Sequence, residues 1–515
     1  MSTDSQSNNK RIAKNTIFLY FRMMFIILVS LYTSRVVLNI LGIDDYGIYN
    51  VVGGFVSMFG FLNTAMSAAT QRYITFSLGN GDKDELNIVF SNCVLTHALI
   101  CAIVFVFAET VGLWFLYNKM VIPPDRLSTA FWVFQCSIFS TIILIMSVPY
   151  NANIVAHEKM SAFAYISIAE VSLKLLIVYI LGVGGLDKLL LYAVLLMVVQ
   201  GTIQTLYRIY CRKHFEESKL RFIWDGKLFK EMLSFAGWNL WGGVSTMLTT
   251  HGINLLLNLF FGPAVNAARG VAVQVQNAVS QFARSFQMAI NPQITKTYAQ
   301  GQLDEMHKLV FRSSKFTFML LLILSLPIFV ETEYILTIWL KIVPEWTVPF
   351  LRLMLCIIIV DATANPFMVS VAATGKVKFY QSVIGCVMIM IVPVAYIALK
   401  LGGDPTIVFV VHLIFALITF VIRLFIVRPM IKFRISDYLK ECISRIFIIT
   451  LLSVLIAFAI RNYSAEGIIV SFINMAICVC AVTLFSYILG LTRNERLVIN
   501  SKVKDVINKI KINAK

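Results

Sequence analysis

The sequence predicts an all-α, polytopic membrane protein of about fourteen transmembrane helices, arranged as two parallel, pseudo-symmetric six-helix bundles followed by two further helices. Three observations predict it. Apolar side chains make up 58% of the 515 residues and charged ones only 14%, too little polar surface to cover a water-soluble globule of this size. The apolar residues run in stretches of about 20, the length that crosses a hydrocarbon core as a helix, without the ten-residue alternation of a strand barrel. A small polar loop is also written twice, as "LGNGDKDEL" at 78–86 and "YAQGQLDEM" at 298–306.

The spans expected in the first bundle (residues 1–211) are 16–36, 46–70, 88–116, 128–150, 161–183 and 187–211. After a basic linker (212–228), the second bundle (229–427) holds 229–261, 263–290, 309–331, 348–372, 378–400 and 404–427. Two more spans, 438–460 and 467–490, lie in residues 428–491, and a basic tail follows at 492–515. The opening span follows Lys10, Arg11 and Lys14 without a small-residue cleavage site, so it reads as an uncleaved first helix. The net charge is +17. With a cytoplasmic N-terminus, Lys and Arg crowd onto the cytoplasmic loops and both chain ends, the asymmetry of the positive-inside rule. Both termini are therefore expected in the cytoplasm. The richest segments, "CRKHFEESKLRFIWDGKLFK" (211–230) and "NSKVKDVINKIKINAK" (500–515), read as basic segments on anionic membrane lipids, with no nucleic-acid partner. Nine cysteines, mostly within spans and closest at Cys478 and Cys480, predict neither a disulfide framework nor a metal site.

The doubled loop belongs to a longer repeat. An offset of 220 pairs Gly42 with Gly262, Ile74-Thr75 with Ile294-Thr295, Gly81 with Gly301 and Asp84-Glu85 with Asp304-Glu305. At 217, Pro149 falls on Pro366 and Lys159 on Lys376, in "PYNANIVAHEKM" and "PFMVSVAATGKV". An even number of spans separates the copies, so the halves share one orientation about an axis along the membrane normal. Duplication can build any large membrane protein, but halves with a cleft between them suit a transporter that rocks around a midplane site.

The segment "SRVVLNILGIDDYGIYNVVGGFVSMFGFLNTAMSAATQRYIT" (34–75), with its Leu41-Gly42 and Tyr46-Gly47 steps and its Arg72 ending, resembles polysaccharide exporters of the multidrug/oligosaccharidyl-lipid/polysaccharide (MOP) superfamily. The "NPQI" break at 291–294, the Pro366 helix and the order of the spans extend this likeness over essentially the whole chain. The branch it is most similar to is the Wzx-type flippases. That resemblance implies a MATE-like fold in a bacterial inner membrane. It also implies movement of undecaprenyl-diphosphate-linked oligosaccharide, an O-antigen or capsule repeat unit, from the cytoplasmic to the periplasmic leaflet. The partners it implies are the lipid-linked oligosaccharide, membrane lipids and the polysaccharide assembly machinery.

The buried charges speak to substrate independently of the family. An ionised side chain inside a span is expensive and usually serves a cavity or a partner. Arg22, Arg35, Lys174, Arg269, Arg284 and Arg423 fall within spans against Glu109, Glu170 and Asp361, a cation surplus that suits an anionic substrate. In the eighth span Arg269, Gln276, Ser280, Arg284, Gln287 and Asn291 share one helical face. Arg269, Gln276, Arg284, Gln287 and Asn291, with Arg22 and Lys174, are the expected cationic cavity. The second span carries a matching stripe of Asn50, Gly53, Ser57, Gly60, Thr64 and Gln71, which equally suits tight helix packing. Arg22 can line a site or snorkel to the interface, and Glu170 with Lys174 at i,i+4 can be a structural bridge or part of a site. Asp361 and Glu170 are the candidates for a coupling proton or sodium ion; no cofactor is expected. His97, His251 and His412 read as packing residues, and Asp44-Asp45 as turn residues. No nucleophile elbow, phosphate loop or metal-ligand spacing occurs, so the chain reads as a non-enzyme. The competing functions are a cation-coupled multidrug antiporter of the same superfamily and, less well supported, a glycan polymerase or ligase, which would want a larger outer loop than 332–347.

Overall fold

The computed structural model describes the backbone of residues 3–500 except 58–59, 119, 121, 183–186, 222–223, 341–342, 464–466, 494 and 498–499. Residues 501–515 of the basic tail, and the side chains of Arg35, Asp44, Asn50, Ser57 and Thr64, lie outside the described residues.

Every regular element among the described residues is helical. The stretch Thr3–Ser57 is two helices joined at Gly42, where φ is 78°. We label them α1 (3–41) and α2, the latter resuming as Gly60–Asn80. There follow α3 (Lys83–Phe107, carried by a π-helical turn to Asn118), α4 (Leu127–Ala156), α5 (Met160–Leu181) and α6 (Lys188–His214). The second half holds α7 (Gly226–Phe261), α8 (Pro263–Ala299), α9 (Leu303–Val330), α10 (Thr347–Thr374), α11 (Lys378–Lys400) and α12 (Ile407–Ile431). Last come α13 (Ile435–Arg461) and α14 (Ile468–Gly490). Eleven of these helices, α3 to α7 and α9 to α14, are long and apolar enough to cross a membrane. The eleven are counted on the described residues; α1 and α2, several of whose residues lie outside them, and α8 are not among the eleven. α8 devotes a face to arginine, glutamine and asparagine. Asp44 and Asp45 also stand corrected. They lie not in a turn but in the first turn of α2, because one glycine at positive φ redirects the chain without a loop. Asp45 accepts from Arg126 Nε at 3.0 Å, and Arg126 also reaches Asp187 at 2.8 Å.

The repeat is visible in the backbone itself. Gly42 and Gly262 have φ of 78° and 81°, Gly81 and Gly301 have 81° and 71°, and Glu158 and Gly375 have 57° and 76°. These three pairs fall at the offsets 220, 220 and 217, so the left-handed positions recur in register. Pro149 and Pro366 both stand inside their helices.

The chain forms two compact units. One comprises Met1–Val244 with two pieces from the second half, Met288–Leu303 and Ala372–Ser382. Its core includes Val52, Phe134 and Leu189, and Leu19, Val155 and Met160 pack on Ala289 of α8. The other unit is the remainder, with a core around Leu257, Ala268, Phe350 and Phe409. There α13 and α14 pack on α9 through Met319, Leu322, Ile449 and Val482. Two buried carboxylates pin them: Glu331 accepts from Asn474 at 2.9 Å, and Glu495 from Lys315 at 2.9 Å.

The linker between the halves is docked on protein. Asn87 donates to the carbonyls of Glu217 and Lys219, Asn153 to Ser218 Oγ, and the Asp225 amide to Asn92. His157 Nε2 meets Glu217 Oε1 at 2.6 Å. Burial pushes the Glu217 carboxyl up, but the His157 bond and its neighbours outweigh this and leave it below its ordinary value.

Two predictions follow from this architecture. Asn80 and Gln300 are exposed and repeat-equivalent, so Asn80→Cys and Gln300→Cys in a cysteine-free background should behave alike toward an impermeant thiol reagent in intact cells. Labelling of one alone would break the parallel repeat. For Glu217 the lowered folded pKa makes its contribution fully present above the unfolded value, about 4.3, and lost as pH falls through the folded value. Glu217→Gln should therefore destabilise the detergent-solubilised protein by about 1–2 kcal/mol at pH 7 and by clearly less near pH 3.5, as read from thermal melts.

Candidate functional site

The polar stripe of α8 forms one wall of a cavity of about 490 Å³ in the second unit. Lipid offers no hydrogen bonds, so a helix carrying such a face must turn it inward. Facing walls come from Thr246 and Thr250 of α7, Asp361 and Asn365 of α10, and His412 of α12.

Arg269 is tethered by neutral acceptors. Its Nη1 donates to Asn254 Oδ1 at 3.3 Å and its Nη2 to the Thr250 carbonyl at 3.1 Å, while Nε is buried with no hydrogen bond. One turn-multiple along, Arg284 lines the same cavity, exposed to it and without a hydrogen bond or ion pair among the described residues. Gln276 and Ser280 lie between them on the lining. Among the described residues, neither arginine is neutralised by contact with a carboxylate. Gln287 has a different task. Pro366 has no N–H for the carbonyl one turn before it, that of Ala362, and Gln287 Nε2 donates to that oxygen at 2.8 Å. Ser314 Oγ likewise donates to the Thr363 carbonyl at 2.9 Å. The break in α10 is thus closed by side chains, and Asp361 stands just before it. Asp361 has no hydrogen bond or ion pair among the described residues; its titratable neighbours include Arg423 and His412, with which it lines a narrow extension of the site.

The expected cluster is only partly assembled here. Arg269, Arg284, Gln276 and Gln287 come together with Asp361, as the helical spacing predicts. Asn291 does not line the cavity; it lies in the piece of α8 that belongs to the first unit. Arg22, Lys174 and Glu170 line a separate cavity of about 400 Å³ within the first unit. There the Arg22 guanidinium sits over the Phe163 ring at 4.6 Å with its Nε buried and unbonded. Lys174 Nζ contacts Glu170 Oε1 at 2.6 Å, so that pair is self-neutralised. Sequence reasoning missed His412, because a lone histidine in a span carries no sign of a carboxylate on another helix. His97, read as packing, is buried and bonds the Cys93 carbonyl at 2.7 Å.

This arrangement of helices is found in solved proteins. A multidrug resistance MATE family transporter of the MOP superfamily, in an outward-facing conformation, matches at TM-score 0.72 and 12% identity over 82% of this chain and 96% of that one. The chain has the MATE fold. A MATE structure in the straight conformation matches at TM-score 0.69 and 14% identity, over 82% of this chain and 96% of that one. A MOP superfamily transporter from Pyrococcus furiosus, whose binding pocket is described as of reverse polarity, suggesting a different function, matches at TM-score 0.69 and 13% identity, over 84% and 96% of the two chains. No family model matches this chain, and no curated protein matches its sequence. Within the MATE fold of this protein, both cavities are built from charged residues that the sequence placed inside spans.

Whether Glu170 and Lys174 form a bridge or a binding site is decided by a double-mutant cycle. As a bridge, Glu170→Gln and Lys174→Met should each cost about 1 kcal/mol, discounted for the partial exposure of both groups. The double variant should recover most of that loss in thermal stability. Additive losses would show that the two side chains act separately.

Proposed function

We propose that the protein is a membrane transporter that moves lipid-linked oligosaccharide across an inner membrane, and that the cavity on α8 receives the diphosphate headgroup. The observation that carries this reading is the pair Arg269 and Arg284, both on one cavity wall and neither neutralised by a carboxylate in contact. Guanidinium stays charged and holds phosphate oxygens through two parallel hydrogen bonds, which suits a diphosphate better than a cationic drug. The MATE fold supports transport by alternation of the halves, and the resemblance of the 34–75 segment to polysaccharide exporters supports the glycan cargo. In this reading the termini face the cytoplasm, no cofactor takes part, and a proton or sodium gradient drives the cycle.

A second reading has its own support. Asp361, in the same cavity and without a hydrogen bond or ion pair among the described residues, is a group that a cation-coupled multidrug antiporter would use. The two are separated by one set of variants in proteoliposomes carrying a fluorescent lipid diphosphate. Arg284→Ala should lower flipping by about tenfold or more, the worth of a charge-assisted hydrogen bond. Arg284→Lys should keep part of the activity, and Arg284→Glu should have none while remaining inserted and folded. Asp361→Asn should slow flipping and flatten its dependence on pH or sodium. Folded Arg284→Glu protein that flips lipid diphosphate like the parent would remove the headgroup site, and export of a cationic dye dependent on Asp361 would establish the second reading.

A further inference from the structure

The first unit contains a pair of contacts that neither cavity uses. They join the ends of helices from the two repeats, at the end of the molecule that carries the doubled loops. In one, Arg72 near the end of α2 donates from Nε to the Ala372 carbonyl at 3.2 Å and from Nη2 to the Ala373 carbonyl at 3.3 Å. Those are among the last carbonyls of α10, at the negative end of the helix dipole, and the Ala372 carbonyl also accepts from the Gly375 amide at 3.0 Å. The guanidinium is backed by Tyr73 at 4.4 Å and Phe76 at 4.8 Å. Gly375, at φ 76°, leaves room for it: a Cβ there would lie 2.8 Å from Nη2.

In the other, Glu158 follows the end of α4 with its side chain fully buried. Gln293 Nε2 donates to its carboxylate at 2.7 Å and Lys296 Nζ at 3.0 Å, both from the end of α8. The repeat maps α2 onto α8 and α4 onto α10, and maps Glu158 onto Gly375. The two contacts are therefore the same contact made twice, each time the end of a second helix gripping the end of a fourth helix in the other half. Their chemistry differs. One side uses an arginine on backbone carbonyls, the other a buried carboxylate on an amide and an ammonium. Between them Gly79 lets α2 and α8 touch, since a Cβ at that position would lie 2.7 Å from Ala299 Cβ.

We infer that these contacts are a two-pin latch that closes the doubled-loop end of the protein and must release when that end opens. Two features argue for a releasable device over plain packing. Each pin is a small polar contact at helix ends, and a fully buried carboxylate that loses a lysine contact is strongly destabilised. The latch rests on the transporter reading for its role, but its opening does not depend on any substrate.

The test is a distance measurement in lipid nanodiscs, with spin labels on Asn80→Cys and Gln300→Cys in a cysteine-free background. The parent should show a dominant short distance. Lys296→Met and, independently, Arg72→Gln should each raise the ratio of long to short populations about tenfold, and the two together by more than either. Lys296→Arg should restore the short distance. If either single variant fails to fold, Arg72→Lys, which keeps the charge and loses the fork, should give an intermediate shift. Unchanged distances in folded Lys296→Met and Arg72→Gln, or in folded Arg72→Lys where it stands in for them, would overturn the latch. A shift in distance without any effect of the variants on lipid diphosphate flipping would leave the latch standing and count against the transport reading.

Discussion

Hydrocarbon cannot hydrogen-bond, so every polar group that a span carries must find its partner inside the protein or in a water-bearing cavity. That constraint governs the whole of α8. Its stripe of arginine and amide residues makes it too polar to qualify as a span by composition, yet the same stripe forces it to the interior. The constraint also explains Gln287. A proline inside a helix strands a carbonyl, and in a bilayer water does not repair the loss, so a side chain from a neighbouring helix must do so. Gln287 and Ser314 meet that need at Ala362 and Thr363. The cavity wall at Asp361 is held in shape as a result.

The repeat rests on a second constraint, backbone sterics. An L-residue adopts positive φ only at a cost, so sites that need it are few and keep their place when a segment is duplicated. Gly42 and Gly262 redirect helix pairs, and Gly81 and Gly301 close the doubled loops. Glu158 is instructive because it holds the same conformation as Gly375 without being glycine. Its carboxylate bonds with Gln293 and Lys296 offset the strain. The recurrence of the polar loop thus has a structural reason: both copies sit where a helix turns sharply into the next, and Asp82 caps the first of them through the Asp84 and Glu85 amides.

Much of this was legible in the sequence, and the rest was hidden for identifiable reasons. Hydropathy located the helices because a span must be apolar over its length. It set the join of α1 and α2 between 36 and 46, where Gly42 stands, but Asp44 and Asp45 were read as turn residues although a single glycine redirects the chain there without a loop. The α8 stripe was legible because helical periodicity is a local property, so Arg269, Gln276 and Arg284 could be assigned to one face from spacing alone. Contacts between helices distant in sequence were not. Nothing near Arg22 or Lys174 says that they line a different cavity from Arg269, and nothing near His412 or Glu158 names Asp361 or Lys296. Gln287 was read as a ligand because its partner, a backbone carbonyl, leaves no trace in the sequence.

The way Arg269 is held bears on what its cavity can take. Had a carboxylate gripped it, the pair would be neutral and the wall would offer an anion little beyond shape. Asn254 and the Thr250 carbonyl fix the guanidinium by its Nη atoms and leave its charge intact. Arg284, untethered, can swing toward whatever occupies the space. The wall thus carries one cation tethered by neutral acceptors and one exposed to the cavity. In the first unit the same inventory is arranged oppositely, with Lys174 cancelled by Glu170 at 2.6 Å and Arg22 resting on an aromatic ring. Of the two cavities, the one on α8 has both arginines free of contact with a carboxylate among the described residues, a difference that the sequence counts of buried charge do not show.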